Sequence, residues 1–213
     1  MKTTTLMVLA AALLAAGAAR ATLYTETFNP GAAIPQGSPV GVAFSGVVGD
    51  IPAGMNVSGL TVGLNLSGGY NGGLYAYLVS PNGTLVTLMN QPGAAVNGFG
   101  ASGAGMNISL QDAATANGNI QNVTSGSALS GAYNAAGSLS GFNGSAADGT
   151  WTLYFADLAS GGGTSTLNSW TLDITAAVPE PVTPALAVFL GLVVLRWGLG
   201  KSGGAMLKVR AIR

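Results

Sequence analysis

The stretch GTWTLYFADLASGGGTSTLNSWTLDI, Gly149–Ile174, decides the fold class. Trp151, Leu153 and Phe155 alternate with Thr152, Tyr154 and Ala156. After a Gly-rich turn, Trp170, Leu172 and Ile174 alternate with Thr171 and Asp173. A two-residue period is the signature of a half-buried strand, because successive side chains of extended backbone point to opposite faces. The stretch therefore predicts two strands that present tryptophan, leucine and phenylalanine to one core.

The same period recurs upstream. In GLTVGLNLSG, Leu60, Val62, Leu64 and Leu66 share a face, with Thr61 and Asn65 opposite. In GLYAYLVSPNGTLVTLM, two runs flank Ser80-Pro81-Asn82-Gly83, a turn sequence, which predicts a hairpin. From Gln91 to Ala147 the chain is rich in Gly, Asn, Ala and Ser and only weakly patterned; short strands are expected at Met106–Leu110 and near Leu129–Tyr133. No amphipathic helix of useful length interrupts residues 22–177. Strands with polar turns and one polar face predict an all-β jelly roll or β-sandwich of antiparallel sheets.

Composition narrows the chemistry. Of 213 residues, 48% are hydrophobic and only 7% charged, which favours a packed domain over a disordered one. There is no Cys and no His, so disulfides, thiol chemistry and His-based catalytic triads are excluded. Between Ala21 and Leu195 there is no Lys or Arg, while all seven acids lie there. An anionic body without basic side chains excludes nucleic acid as a partner.

The two ends differ from the body. MKTTTLMVLAAALLAAGAARA combines Lys2, an apolar run and a small-x-small step ending at Ala21, the pattern of a secretory signal over residues 1–21. Near the other end stand Pro179-Glu180-Pro181, an uninterrupted apolar run Pro184–Leu195, and then Arg196, Lys201, Lys208, Arg210 and Arg213. A helix over 183–200 lies at the short limit for spanning a bilayer, with Arg196 snorkelling and the basic end cytoplasmic. Residues 178–213 resemble a PEP-CTERM sorting signal, read in bacteria by the membrane protease exosortase. That resemblance implies export to the cell envelope, cell surface or exterior after insertion in the inner membrane, with an exopolysaccharide matrix as the surroundings.

Residues from about Val40 to Thr175 resemble a second family, the P (P/Homo B) domain of proprotein convertases. The resemblance rests on Gly149, Trp151, Leu153 and Asp157, on Leu167, Trp170 and Leu172, on Gly73-Leu74, and on Ser80-Pro81-Asn82-Gly83-Thr84. An Asp usually precedes the Leu of the earlier loop; Gly73 stands in its place. In that family the P domain follows a subtilisin-like protease domain and stabilises it. The chain divides accordingly into a signal (1–21), an N-terminal extension (22–39), a P-domain-like sandwich (40–177) and a sorting signal (178–213).

The functional expectation is a non-catalytic structural, adhesive or matrix-associated protein. A calcium- or carbohydrate-binding module is the alternative, and an accessory domain of a proteolytic system or an acid-only hydrolase is a further one. No cofactor is required. For calcium, Asp148, Asp157 and Asp173 are the hard oxygen donors, without the spacing of a loop site. For a sugar, Tyr75, Tyr77 and Tyr154 are the surface candidates among the aromatic residues, because they lie opposite the inferred core faces; a second packed face would serve them equally.

Overall fold

A computed structural model describes residues 21–113, 115–124 and 126–178. The signal (of which Ala21 alone is described), the Pro179-Glu180-Pro181 motif, the 183–200 helix and the basic residues Arg196 to Arg213 lie outside these. Among the described residues no helix is long and apolar enough to cross a membrane.

The described chain is all-β. Ten strands, β1 (Ala21–Phe28), β2 (Ala32–Ala33), β3 (Ser38–Val48), β4 (Asn56–Gly68), β5 (Leu74–Val79), β6 (Leu85–Asn90), β7 (Met106–Gln111), β8 (Leu129–Asn134), β9 (Gly149–Asp157) and β10 (Ser165–Ala177), build two sheets. One runs β1-β10-β4-β7-β8, with β2 also on β10; the other runs β3-β9-β5-β6. One α-helical turn, α1 (Ala94–Asn97), joins them.

The alternation read from the sequence sets the core. Leu60, Val62, Leu64 and Leu66 on β4 and Trp170, Leu172 and Ile174 on β10 are buried. They share one apolar cluster with Trp151, Leu153 and Phe155 on β9 and Leu74, Ala76 and Leu78 on β5. Phe142 meets Trp151 edge-on at 5.3 Å between ring centres, and the Trp151 indole N–H donates to the Ala147 carbonyl at 3.2 Å. Each sheet thus turns one face to its partner and one to water. The predicted hairpin is β5–β6, closed by the Ser80–Thr84 turn.

Two features differ from the sequence reading. Residues 22–39, set apart there as an extension, belong to the sandwich: β1 pairs with β10 from Ala21↔Ala177 to Phe28↔Trp170, β2 pairs with the other end of β10, and β3 begins at Ser38. The reason is an unfilled edge, since β10 offers a second ladder that β4 cannot occupy. In addition, β7 and β8 pair in parallel within otherwise antiparallel sheets. Residues 112–128 supply the connection, longer than the dozen or so residues a parallel crossover requires.

Candidate functional site

The outward face of the four-stranded sheet carries the aromatic candidates. Register places Ala43, Tyr154, Tyr77 and Thr87 in one row across all four strands. Ser45, Thr152, Val79 and Leu85 form the next row. Tyr77 and Tyr154 stack at 4.5 Å with an interplanar angle of 15°, and Tyr75 meets them edge-on at 6.0 and 6.4 Å. Tyr154 is anchored: its hydroxyl donates to the Pro39 carbonyl at 2.7 Å, over Gly41, where a Cβ would lie 2.2 Å from the Phe155 carbonyl oxygen. Burial, then the neighbouring Tyr77 and Tyr75 phenols, push the Tyr154 phenol up, so it is neutral at ordinary pH. The Ser45 and Thr152 hydroxyls pair at 3.1 Å. These two rows contain no charged side chain. They present aromatic rings, hydroxyls and apolar side chains, among them the exposed Leu85, on one sheet face.

The second candidate set, Asp148, Asp157 and Asp173, does not come together. Asp148 precedes β9 and Asp157 ends it, which sets them about 30 Å apart at the rise of a strand. Asp173 lies on the outward face of the other sheet, where the Thr25 hydroxyl donates to it at 2.6 Å. Among the described residues no three His, Cys, Asp or Glu side chains group as for a metal ion. Asp157 differs from the other two because it is fully buried. One of its oxygens accepts from the Ala159 N–H at 3.0 Å, and burial pushes its carboxyl up despite that bond.

Sequence reading missed Asp112, which holds the weakly patterned middle in place. Its carboxylate accepts from the Ser138 hydroxyl at 2.9 Å, the Leu139 N–H at 2.7 Å and the Ser140 N–H at 2.6 Å. Burial would raise this carboxyl, but the hydrogen bonds from Leu139, Ser138 and Ser140 together outweigh it and hold it below its ordinary value. A cavity of about 330 Å³ opens beside it, lined by Ser58, Thr61, Gln111, Ser140 and Thr175 among others. Asp112 is the one carboxylate in that lining, and both its oxygens cap the 3-10 turn Leu139–Phe142. Paired carboxylates, which glycoside hydrolysis needs, are not assembled there. No sequence motif announces Asp112, since its partners lie more than 25 residues away.

The family model for the proprotein convertase P-domain matches residues 57–174, more than half of the chain. No curated protein matches it. Among solved structures, the complex of the Aeromonas sobria serine protease with its chaperone (ORF2) is similar at 17% identity, with a TM-score of 0.47, over 74% of this chain and 27% of that one. The Aeromonas sobria serine protease itself is similar at 17% identity, TM-score 0.45, over 73% and 27%. The chain thus spans about a quarter of the length of those solved chains.

Proposed function

The chain belongs to the proprotein convertase P-domain family, and we propose that it is a non-catalytic binding module, exported to the bacterial cell surface, whose tyrosine face holds a neutral matrix polysaccharide. The carrying observation is the uncharged face of Tyr75, Tyr77 and Tyr154 beside the Ser45, Thr152 and Thr87 hydroxyls. A sugar ring offers a C–H-rich face that packs on an aromatic ring and hydroxyls that exchange hydrogen bonds with neighbouring side chains. Neutral polymer is favoured over anionic because the body carries acids and no Lys or Arg between Ala21 and Leu195. Like charge repels an acidic chain, and nothing there compensates it.

The absence of His and Cys from the sequence supports the non-catalytic reading, as does the lack, among the described residues, of any group of three His, Cys, Asp or Glu side chains placed to hold a metal ion. Export rests on the sequence alone: the N-terminal signal pattern, and Pro179-Glu180-Pro181 followed by an apolar run and a basic end. Exosortase is the partner this implies.

Native gels cast with neutral polysaccharides test the binding claim. The protein should be retarded by at least one. Tyr75→Ala with Tyr77→Ala should weaken binding about tenfold, the loss of one to two ring contacts. Thr171→Ala, on the opposite sheet, should leave retardation unchanged. If no neutral polymer retards the protein, or the double variant is retarded equally, the face is not a glycan site. Export is tested separately by the mass of the protein in host cells with and without exosortase; equal masses refute processing.

A further inference from the structure

Three side-chain oxygens among the described residues are buried without a hydrogen-bond partner: Asp157 Oδ2, Asn71 Oδ1 and Ser165 Oγ. Asn71 and Asp157 are fully buried and Ser165 is nearly so. They are far apart in sequence, yet each lies in or against one short segment, the loop Gly68–Gly73 between β4 and β5. Asn71 is in that loop. Asp157 lies against its end, where a Cβ on Gly73 would fall 2.5 Å from Asp157 Oδ1 and the Leu158 N–H donates to the Gly73 carbonyl at 2.8 Å. Ser165 lies against its start, where a Cβ on Gly69 would fall 1.8 Å from Ser165 Oγ. The amide orientation of Asn71 is fixed, since its Nδ2 donates to the Gly105 carbonyl at 2.9 Å and leaves Oδ1 as the free acceptor.

Buried polar atoms are almost always satisfied, and a buried carboxylate is the costliest exception. Elsewhere a Lys or Arg answers such a charge. Here no Lys or Arg exists between Ala21 and Leu195. The donors are a carboxylate, an amide carbonyl and a hydroxyl, all hard oxygens, and none is soft or nitrogenous.

We propose that the loop Gly68–Gly73 is the seat of a hard, oxygen-liganded metal cation, with Asp157 as the charged ligand and Asn71 and Ser165 as neutral ones. A single carboxylate suits either an alkali ion or a weakly held calcium, the latter at the 10⁻⁴–10⁻³ M typical of extracellular modules. The cation neutralises Asp157 and ties the end of β9 to the β4–β5 loop and the start of β10. The site stands apart from the tyrosine face and does not depend on the polysaccharide reading.

The test is thermal melting of the full chain in neutral detergent at pH 7.5, at constant ionic strength, with tetramethylammonium chloride as the reference salt and calcium, sodium or potassium chloride as the separate arms. One metal arm should raise Tm by about 5–10 °C when the cation is at about 100 times its Kd. Asp173→Asn should respond like the parent, and Asp157→Asn should not respond. If Asp157→Asn does not fold, Ser165→Ala carries the test: the cation concentration at half-maximal shift should rise at least about threefold, the loss of one weak ligand. The proposal is overturned if no metal arm exceeds the reference salt, if Asp157→Asn responds like the parent, or if that midpoint is unmoved in Ser165→Ala. The arm that responds identifies the ion.

Discussion

Phe28→Ala is the sharpest test of whether the first strand belongs to the domain. Phe28 ends β1, lies half-buried at the sheet edge, and rests on Trp170 with 4.4 Å between ring centres at a 32° tilt. Its ring also occupies the space over Gly46 of β3, where a Cβ would fall 2.4 Å from Phe28 Cε1. One residue thus bridges the open edges of both sheets. Truncating a fully buried Phe costs about 3–5 kcal/mol, and half-burial brings this to about 2 kcal/mol, of which the Trp170 contact is about 1 kcal/mol. For a domain of this size that is a fall in Tm of about 4–8 °C. Leu23→Ala is the control on the same strand, because Leu23 is 63% exposed and its loss should move Tm by no more than about 2 °C. Calorimetry of the full chain in neutral detergent reads both. A Phe28→Ala midpoint within 1 °C of the parent would falsify the claim that residues 21–28 are part of the sandwich.

Leu153→Ala, at a fully buried position of β9, should cost about 2–5 kcal/mol in chemical denaturation at unchanged m-value; a loss below about 1 kcal/mol contradicts the core described. Gly69→Ala places a Cβ 1.8 Å from Ser165 Oγ at a φ of +71° and should destabilise by at least about 2 kcal/mol, whereas Gly161→Ala meets nothing within 4 Å and should be neutral or slightly stabilising. Asp112 has a folded pKa below its unfolded one, so its contribution is present above the unfolded carboxylate value of about 3.9 and is lost as pH falls through the folded value. Asp112→Asn should therefore lower stability at pH 7 and flatten the acid limb of a Tm-against-pH curve; parallel curves for the two proteins contradict the cap.

Strands whose inward residues alternate were legible in the sequence. Leu60 to Leu66, Trp151 to Phe155 and Trp170 to Ile174 all occupy the faces their spacing assigns, because a strand's side-chain period is fixed by backbone geometry alone. The short strands β7 and β8 were placed as well, although the region around them was not read further. Its order rests on side-chain amides that leave no period. Asn134 Nδ2 donates to the carbonyls of Gln111, Asp112 and Ala113, Asn119 Nδ2 to that of Ala135, and Asn117 Nδ2 to that of Ala132. An Asn that braces a loop and an Asn that faces water look the same in a sequence.

The candidate sites divide along the same line. Tyr75, Tyr77 and Tyr154 were recognisable as a set because each stands opposite a core residue, but their mutual stacking depends on the β5–β9 pairing. Asp148, Asp157 and Asp173 were grouped by residue type, and pairing separates them.

The sequence by itself determined the all-β class and the absence of any Lys or Arg in the body, since these follow from local period and composition; that Tyr75, Tyr77 and Tyr154 form one outward face rests on the β5–β9 pairing. Tertiary structure alone decided that residues 21–39 complete the sandwich, that β7 and β8 run parallel, and that Asp157 and Ser165 lie against the loop that holds Asn71. Each of those depends on which strand lies beside which. That choice is made by packing between segments far apart in the chain, such as Thr25 and Asp173, 148 residues apart, and no local pattern encodes it.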